Sequence, residues 1–316
     1  MKKIASLFSC FIWMMWIPAS ALAWGQATHA YFAKALVNGD VNLLEIYGAM
    51  APDLFNLMTD SPDYDYLVKE THRRYEKVVR ESLETELRPF AFGFACHNDR
   101  RGADRTAHRH GRTTKEGYVI TKSSGLALNI RPEVQVILED AGVPFALLVA
   151  GPLALELAHP LVETAIDLLV KRNEDPSIGL QMLQAAQDRP SSIPDLLVEA
   201  YGKGFARHMH ISYEETDQLI RTAEVEFQQL MILYGEILNR EEPEAIRALA
   251  DQGGVLLEEY ISSATGKEVD VPVEVLEQFL LLAIQQVEGD YSEEISATLT
   301  YLKKILAHLN HLLMEN

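Results

Sequence analysis

One stretch of the chain, residues 97–112, is rich in potential metal ligands and reads HNDRRGADRTAHRHGR. It holds three histidines and two aspartates among five arginines. On a continuous helix, which turns about 100° per residue, His97, Asp104 and His108 would lie within roughly 20° of one line. Zinc accepts imidazole nitrogens and carboxylate oxygens as ligands. The stripe therefore predicts either a metal-binding face or a solvated helix with incidental ion pairs.

A second segment, AHPLVETAID (158–167), carries the same side-chain types at helical spacing. His159 and Glu163 are one helical turn apart, so that both side chains can reach one ion, and Asp167 continues the same face. The segment is apolar on both sides, and burying an unpaired acid costs several kcal/mol. The apolar context therefore favours a paired Glu163, although such His-x-x-x-Glu pairs also occur as hydrogen bonds on helix surfaces.

Three further candidates stand alone in the sequence. Asp53 follows a proline in the apolar stretch GAMAPDLF, and His72 lies in KETHRRY. His29 lies in WGQATHAYFAKAL, at the expected start of a helix. Each could also be an ordinary turn, cap or surface residue.

The amino-terminal segment, residues 1–23, has the pattern of a secretory signal peptide. Two lysines precede an apolar region, and the segment ends in Ala-Leu-Ala. Cleavage after Ala23 would make Trp24 the first residue of an exported, periplasmic or secreted protein. A retained membrane anchor is the alternative interpretation.

Cleavage would change the cysteine content and the net charge of the mature chain. Only Cys96 would remain, so no internal disulfide is expected and stability must come from the core or from metal. Loss of the two lysines would change the formal net charge from −18 to −20. A surface this acidic repels polyanions, which excludes extended binding of nucleic acid.

Apolar residues recur at intervals of three and four, and alternating strand patterns are nearly absent. The sequence therefore predicts an all-α fold. The helical segments are expected at 27–37, 66–83, 89–97, 159–172, 214–238, 272–287 and 292–313. Turn residues between about 173 and 195 predict a boundary between a chemical domain, residues 24–194, and a C-terminal helical region, residues 195–316, of unknown role.

The order of these features resembles the zinc-dependent phospholipase C family. A Trp at the mature start is followed by Thr-His, Pro-Asp, Thr-His, a His…Asp…His helix and His-x-x-x-Glu, over roughly residues 24–170. The superfamily includes bacterial phospholipases C, the N-terminal domain of glycosylphosphatidylinositol-specific phospholipase D and the S1/P1 nucleases. The resemblance implies an all-helical, multi-helix domain of the phospholipase C/P1 nuclease type, with up to three zinc ions.

Carried over residue by residue, the resemblance implies three sets of ligands drawn from ten candidate residues: Trp24, His29 and Asp104; Asp53, His72, His97 and the bridging Asp104; and His159, Glu163 and either His108 or His110. Asp53 would be a ligand, a base that orients the attacking water, or both. The family usually places its bridging aspartate four residues after the first histidine, where this chain has Arg101. Asp104 comes three residues later, which leaves a two-zinc site open.

The resemblance implies an exported zinc-dependent phospholipase C. Such an enzyme hydrolyses glycerophospholipids at a membrane surface to diacylglycerol and a phosphorylated headgroup. Two alternatives stay open at this point: an S1/P1-like nuclease, which the short spacing from Trp24 to His29 favours, and a non-catalytic helical envelope protein with a structural zinc site. The sequence names no protein partner.

Overall fold

The computed structural model describes residues 24–36, 41–58 and 63–314, and every regular element within these ranges is helical. The prediction of an all-α fold is confirmed. The predicted signal peptide lies outside the described residues. None of the described helices is long and apolar enough to cross a membrane.

The helices of the first half are α1 (Gln26–Leu36), α2 (Leu43–Met50), a 3-10 helix (Ala51–Leu57), α3 (Tyr64–Arg73), α4 (Glu76–Ser82), α5 (Arg88–His97), α6 (Ala103–His108), α7 (Tyr118–Asp140) and α8 (Ala146–Leu169), which continues into a π-helical turn (Val170–Glu174). Those of the second half are α9 (Ile178–Gln187), α10 (Ile193–Leu197), a π-helical turn (Val198–Gly202), α11 (Lys203–Met209), α12 (Tyr213–Leu238), α13 (Glu242–Thr265), α14 (Val273–Val287) and α15 (Tyr291–Met314).

The 97–112 stretch is not one helix, which differs from the expectation behind the ligand stripe. Helix α5 ends at His97 and α6 begins at Ala103. The side-chain oxygen of Asn98 accepts hydrogen bonds from the backbone N–H groups of Arg100 and Arg101, at 3.0 and 2.8 Å. Asparagine side chains compete in this way with the helical hydrogen-bond ladder, and here the result is a turn.

A close crossing between α2 and α5 positions the end of α5. A Cβ atom at Gly48 would overlap the carbonyl oxygen of Phe90, and one at Gly93 would overlap that of Glu45. Any side chain at either position would force the two helices apart. The crossing thereby sets His97, the last residue of α5, against the end of α2.

The C-terminal region braces the first half. The Tyr234 hydroxyl of α12 donates a hydrogen bond to Asp167 of α8, at 2.9 Å. From α15, buried Glu294 accepts hydrogen bonds from two backbone amides of the loop after α6, and Thr298 donates to Thr106 of α6. The second half thus positions elements of the first, while the domain boundary stays a prediction.

Burial of Glu45 in α2 gives a pH-dependent term in stability. Burial raises the pKa of its carboxyl to about 7. Because the folded-state pKa lies above the unfolded value, the folded chain binds the extra proton, and its stability falls as the pH rises from about 4.5 through about 7. We expect Glu45→Gln to remove this loss. As the pH rises through this range, the free energy of unfolding of the wild type should fall by about 2–3 kcal/mol relative to that of the variant. Urea unfolding at a series of pH values measures this difference, and parallel pH profiles would contradict it.

Candidate metal centre

Three groups of buried or half-buried side chains could each hold a metal ion. In each group, one potential ligand atom per residue lies within 4.8 Å of the others. The groups are His29, His97 and Asp104; Asp53, His72 and His97; and His108, His159 and Glu163. His97 belongs to two of them, so the first two groups are contiguous.

Asp104 lies at the centre of the contiguous groups. Its Oδ1 is 3.2 Å from His29 Nε2, and its Oδ2 is 3.2 Å from His97 Nε2 and 3.8 Å from His72 Nε2. These imidazoles come from α1, α5 and α3. A carboxylate whose two oxygens face different imidazoles has the arrangement that a bridging ligand requires.

Two of the imidazoles are held with Nε2 facing inward. His97 Nδ1 lies 2.8 Å from the Ala49 carbonyl oxygen, and His72 Nδ1 lies 2.9 Å from the Val68 carbonyl oxygen. A carbonyl can only accept, so each Nδ1 donates and carries a proton. The second ring nitrogen then offers its lone pair, as histidine ligands of metals do.

Several of the inward-facing atoms lack a hydrogen-bond partner. His29 Nε2, His97 Nε2, Asp104 Oδ1 and Glu163 Oε1 are buried and form no hydrogen bond. The imidazole nitrogens lie near Asp104 without the alignment of a hydrogen bond, and the rings of His29 and His97 stack with centroids 3.8 Å apart. Buried polar atoms are rarely left unsatisfied. A cation between them would satisfy these atoms, so the residues present fit zinc.

The electrostatics of the cluster also favour a cation. Burial raises the pKa of Asp104, but the imidazoles of His97 and His29 outweigh it and hold this pKa well below its usual range. Burial lowers the pKa of His97, whereas Asp104 and Asp53 together raise it to about 9, so that without metal Nε2 holds a proton at neutral pH, which a bound ion would replace. Burial, reinforced by Asp53, raises the pKa of Glu163 well above its usual range. A carboxyl in such a field is stabilised as an anion when a cation lies beside it.

The third group joins α6 to α8. His108 Nε2 lies 3.1 Å from His159 Nε2, and His159 Nε2 lies 2.9 Å from Glu163 Oε1. Two imidazole nitrogens that face each other must share one proton or bind a common cation. Burial lowers the pKa of His108 to about 4, which keeps its ring neutral and its lone pair available at neutral pH.

Asp53 is held by neutral donors as well as by histidine. Gln26 Nε2 donates to its Oδ2 at 2.6 Å, and Asn56 Nδ2 donates to its Oδ1 at 2.8 Å. His72 Nε2 lies 3.2 Å from the same Oδ1. The 3-10 helix thereby fixes the orientation of this carboxylate, and either predicted role, ligand or base, fits its position.

Trp24 is anchored next to the cluster. Its Nε1 donates to the Ala103 carbonyl oxygen and the Thr106 hydroxyl, both at 3.0 Å, and its ring stacks on Tyr118. Ala103 directly precedes Asp104, so the indole of Trp24 is held against α6, the helix that carries Asp104. The use of its amino nitrogen as a ligand stays a prediction.

The structure brings eight of the ten predicted ligands into the three groups. His110, the alternative to His108, is exposed and lines a separate cleft. The geometry therefore assigns the third group to His108.

A cleft of about 540 Å³ connects the cluster to solvent. The cluster contributes His72, Asp104 and His108 to its wall, beside Tyr64 and Lys69. The Tyr64 hydroxyl is buried without a hydrogen-bond partner, and burial raises its pKa. Sequence reasoning missed Tyr64 and Lys69, because nothing in their local spacing marks them.

Asp167 holds α1 in place instead of joining the third group. Its oxygens accept hydrogen bonds from the backbone N–H groups of Ala27 and Thr28 at 2.9 and 2.8 Å, from the Thr28 hydroxyl at 2.6 Å and from Tyr234. Burial raises the pKa of Asp167 to about 6, although these donors oppose the rise. A carboxylate at this position caps the start of α1, which carries His29.

We expect Asp167→Asn to destabilise the protein by about 2–4 kcal/mol, since an amide cannot accept from all four donors. The variant should also bind zinc more weakly, because α1 loses its anchor. Chemical unfolding and metal titration measure the two effects. Asp175→Asn is the matched control: Asp175 accepts from Lys34 near the other end of α1 through Oδ2, and from the backbone N–H and hydroxyl of Ser177 through Oδ1. The amide oxygen of asparagine can still accept from Ser177, so we expect a loss of only about 1 kcal/mol, from the weakened contact with Lys34. Equal losses in the two variants would contradict the prediction.

Comparison of the chain with models of known protein families, with curated proteins and with solved structures gave no match.

Proposed function

We propose that this protein is a zinc-dependent phosphodiesterase of the phospholipase C type. The observation that carries the proposal is the convergence of buried Asp104 on the Nε2 atoms of His29, His97 and His72, two of which have no hydrogen-bond partner. Three adjacent groups of nitrogen and oxygen ligands fit a site for several zinc ions, and multinuclear sites of this kind hydrolyse phosphodiesters.

Each group of side chains has a distinct role in this proposal. Bound zinc would supply an activated water near neutral pH and positive charge for the phosphate oxygens. Asp104 would bridge the first two ligand sets, and Asp53, held by Gln26 and Asn56, would orient the attacking water. His108, His159 and Glu163 would bind at the third position. The cleft beside Tyr64 and Lys69 would receive the substrate.

Export is part of the proposal, since cleavage after Ala23 would free the amino group of Trp24. The burial of Trp24 and the hydrogen bond from its indole to Ala103 support it, because they hold the residue that would become the new terminus against the helix that carries Asp104. The appropriate material for assays is therefore protein that begins at Trp24, loaded with zinc. A form with one extra residue before Trp24 is the matched control, and it should bind less metal.

The decisive assay offers phosphatidylcholine vesicles and single-stranded DNA to this protein side by side. We expect release of diacylglycerol and phosphocholine, with the DNA intact. Cleavage of DNA alone would establish the nuclease alternative. Protein that is fully loaded with zinc but inert towards all common phospholipids would contradict the proposal.

The hairpin between α7 and α8 supports a membrane-borne substrate. Residues 141–155 contain no charged side chain, and Phe145, Leu147 and Leu148 are 78, 57 and 72% exposed. A second copy is disfavoured at this patch because each chain that begins at Trp24 would have a formal net charge of −20. A lipid surface carries no such penalty when its headgroups are zwitterionic.

We expect the double substitution Phe145→Asp and Leu148→Asp to weaken binding to phosphatidylcholine vesicles by roughly tenfold or more, because two apolar contacts are lost. Hydrolysis of a soluble phosphodiester should not change. Vesicle co-sedimentation and a chromogenic assay give the two readouts. Unaltered vesicle binding, or a wild-type dimer on gel filtration that the substitutions dissociate, would overturn this assignment.

A further inference from the structure

A second cleft, of about 720 Å³, lies next to the metal centre and is lined mainly by basic side chains. Its lining includes five basic side chains and one aromatic ring, those of Arg100, Arg101, Arg105, Arg112, Lys115 and Tyr301. Among the side chains that the structure describes, no acidic residue lines this cleft, in a chain with 46 acidic and 28 basic residues. The concentration of positive charge is therefore local and opposite to the charge of the molecule.

Most of this charge is not neutralised within the described part of the chain. Arg100 approaches Glu76 at 3.6 Å, and both side chains are about half exposed. Arg101, Arg105, Arg112 and Lys115 form no ion pair with any acid whose side chain the structure describes. By contrast, Arg73 and Arg109, in the metal-site cleft, both pair with Asp99.

The walls of the basic cleft are held in place by contacts that leave its charges available. The backbone amides of Arg112 and Thr113 donate to buried Glu294, which fixes the loop after α6. The Arg112 guanidinium lies over the ring of Tyr301, 4.9 Å from its centroid. A preorganised guanidinium loses little conformational entropy when an anion binds.

We propose that the basic cleft binds a phosphate-bearing anion. Guanidinium groups form paired, charge-assisted hydrogen bonds with phosphate oxygens, and several cations converge here on one volume. The site is distinct from the metal centre: His108 and Arg109 line the metal-site cleft, whereas His110 and Arg112 line the basic cleft. The inference therefore goes beyond the proposed hydrolysis and does not depend on it. The phosphate belongs either to an anionic lipid headgroup or to a free phosphate.

The test is a calorimetric titration of the zinc-loaded protein with inorganic phosphate. The cleft variant combines Arg101→Glu with Lys115→Glu, two exposed positions that are not metal ligands. The control is Lys203→Glu, an exposed lysine outside the cleft. Because the metal centre can also take up phosphate, the diagnostic quantity is the component of binding that the cleft variant loses. We expect this component to weaken by roughly tenfold or more in the cleft variant and to persist in the control.

Vesicles of phosphatidylcholine, with and without phosphatidylglycerol, identify the source of the phosphate. If phosphatidylglycerol increases binding and the cleft variant abolishes the increase, the ligand is a lipid headgroup. If inorganic phosphate binds in the cleft and phosphatidylglycerol has no effect, the ligand is a free phosphate. Phosphate binding that is equal in all three proteins, or equally reduced in the control, would overturn the proposal. Matching thermal melts would show that the variants fold.

Discussion

Replacement of Asp104 by asparagine is expected to remove at least one zinc ion and to lower phosphodiester hydrolysis by roughly three orders of magnitude. Asp104 is the carboxylate that faces His29, His97 and His72 at once. An amide supplies one neutral acceptor and turns an NH₂ donor towards a space built for a cation. Metal analysis of the purified variant and initial rates on phosphatidylcholine measure the two effects.

Asp99→Asn is the matched control for metal content. Asp99 lies five positions earlier, but its carboxylate pairs with Arg73 and Arg109 instead of facing the imidazole Nε2 atoms. This variant should retain the full complement of zinc. If Asp104→Asn also kept its zinc and its rate, Asp104 would not be a bridging ligand.

Removal of metal by a chelator is expected to abolish activity and to lower the melting temperature by roughly 5–10 °C, equivalent to about 3–4 kcal/mol for a tightly bound ligand. Asp53, Asp104 and Glu163 are all almost fully buried. Without a cation these three acids lie close to one another, and Asp104 and Glu163 each keep an oxygen with no hydrogen-bond partner. Thermal melts with chelator, and again after zinc is restored, measure the change.

The Asp104→Asn variant provides the control for this experiment, since it should respond much less to the chelator. A loss of stability without hydrolase activity in the zinc-loaded form would instead support a structural zinc site. An equal melting temperature in the presence and absence of metal would contradict any zinc centre.

The composition of the candidate centre could be predicted from the sequence, because much of it is encoded locally. His159 and Glu163 are one turn apart on a helix, and His97, Asp104 and His108 lie in one short stretch. The stretch is not a continuous helix, yet the turn at Asn98 still brings His97 and Asp104 into one group, and His108 joins the third group. Side-chain types within one segment therefore predicted which residues belong to the candidate centre. They did not predict the conformation of the backbone between those residues.

Long-range relations could not be predicted. Asp167 continues the face of His159 and Glu163, but its partners Ala27 and Thr28 are 140 and 139 residues away in sequence. No local periodicity indicates that a carboxylate on one helix will cap another that distant. The position of Tyr64 in the wall of the metal-site cleft could not be predicted either, because it depends on tertiary packing alone.

The bracing of the centre from the far end of the chain has a consequence for biogenesis. A ribosome releases the last predicted ligand, Glu163, well before Tyr234 and Glu294, the residues that secure α8 and the loop after α6. A partly synthesised chain thus exposes every candidate ligand before the contacts of Tyr234 and Glu294 can form. If the centre binds zinc as proposed, we expect selective loading to follow chain completion, since the nascent polypeptide lacks these two braces.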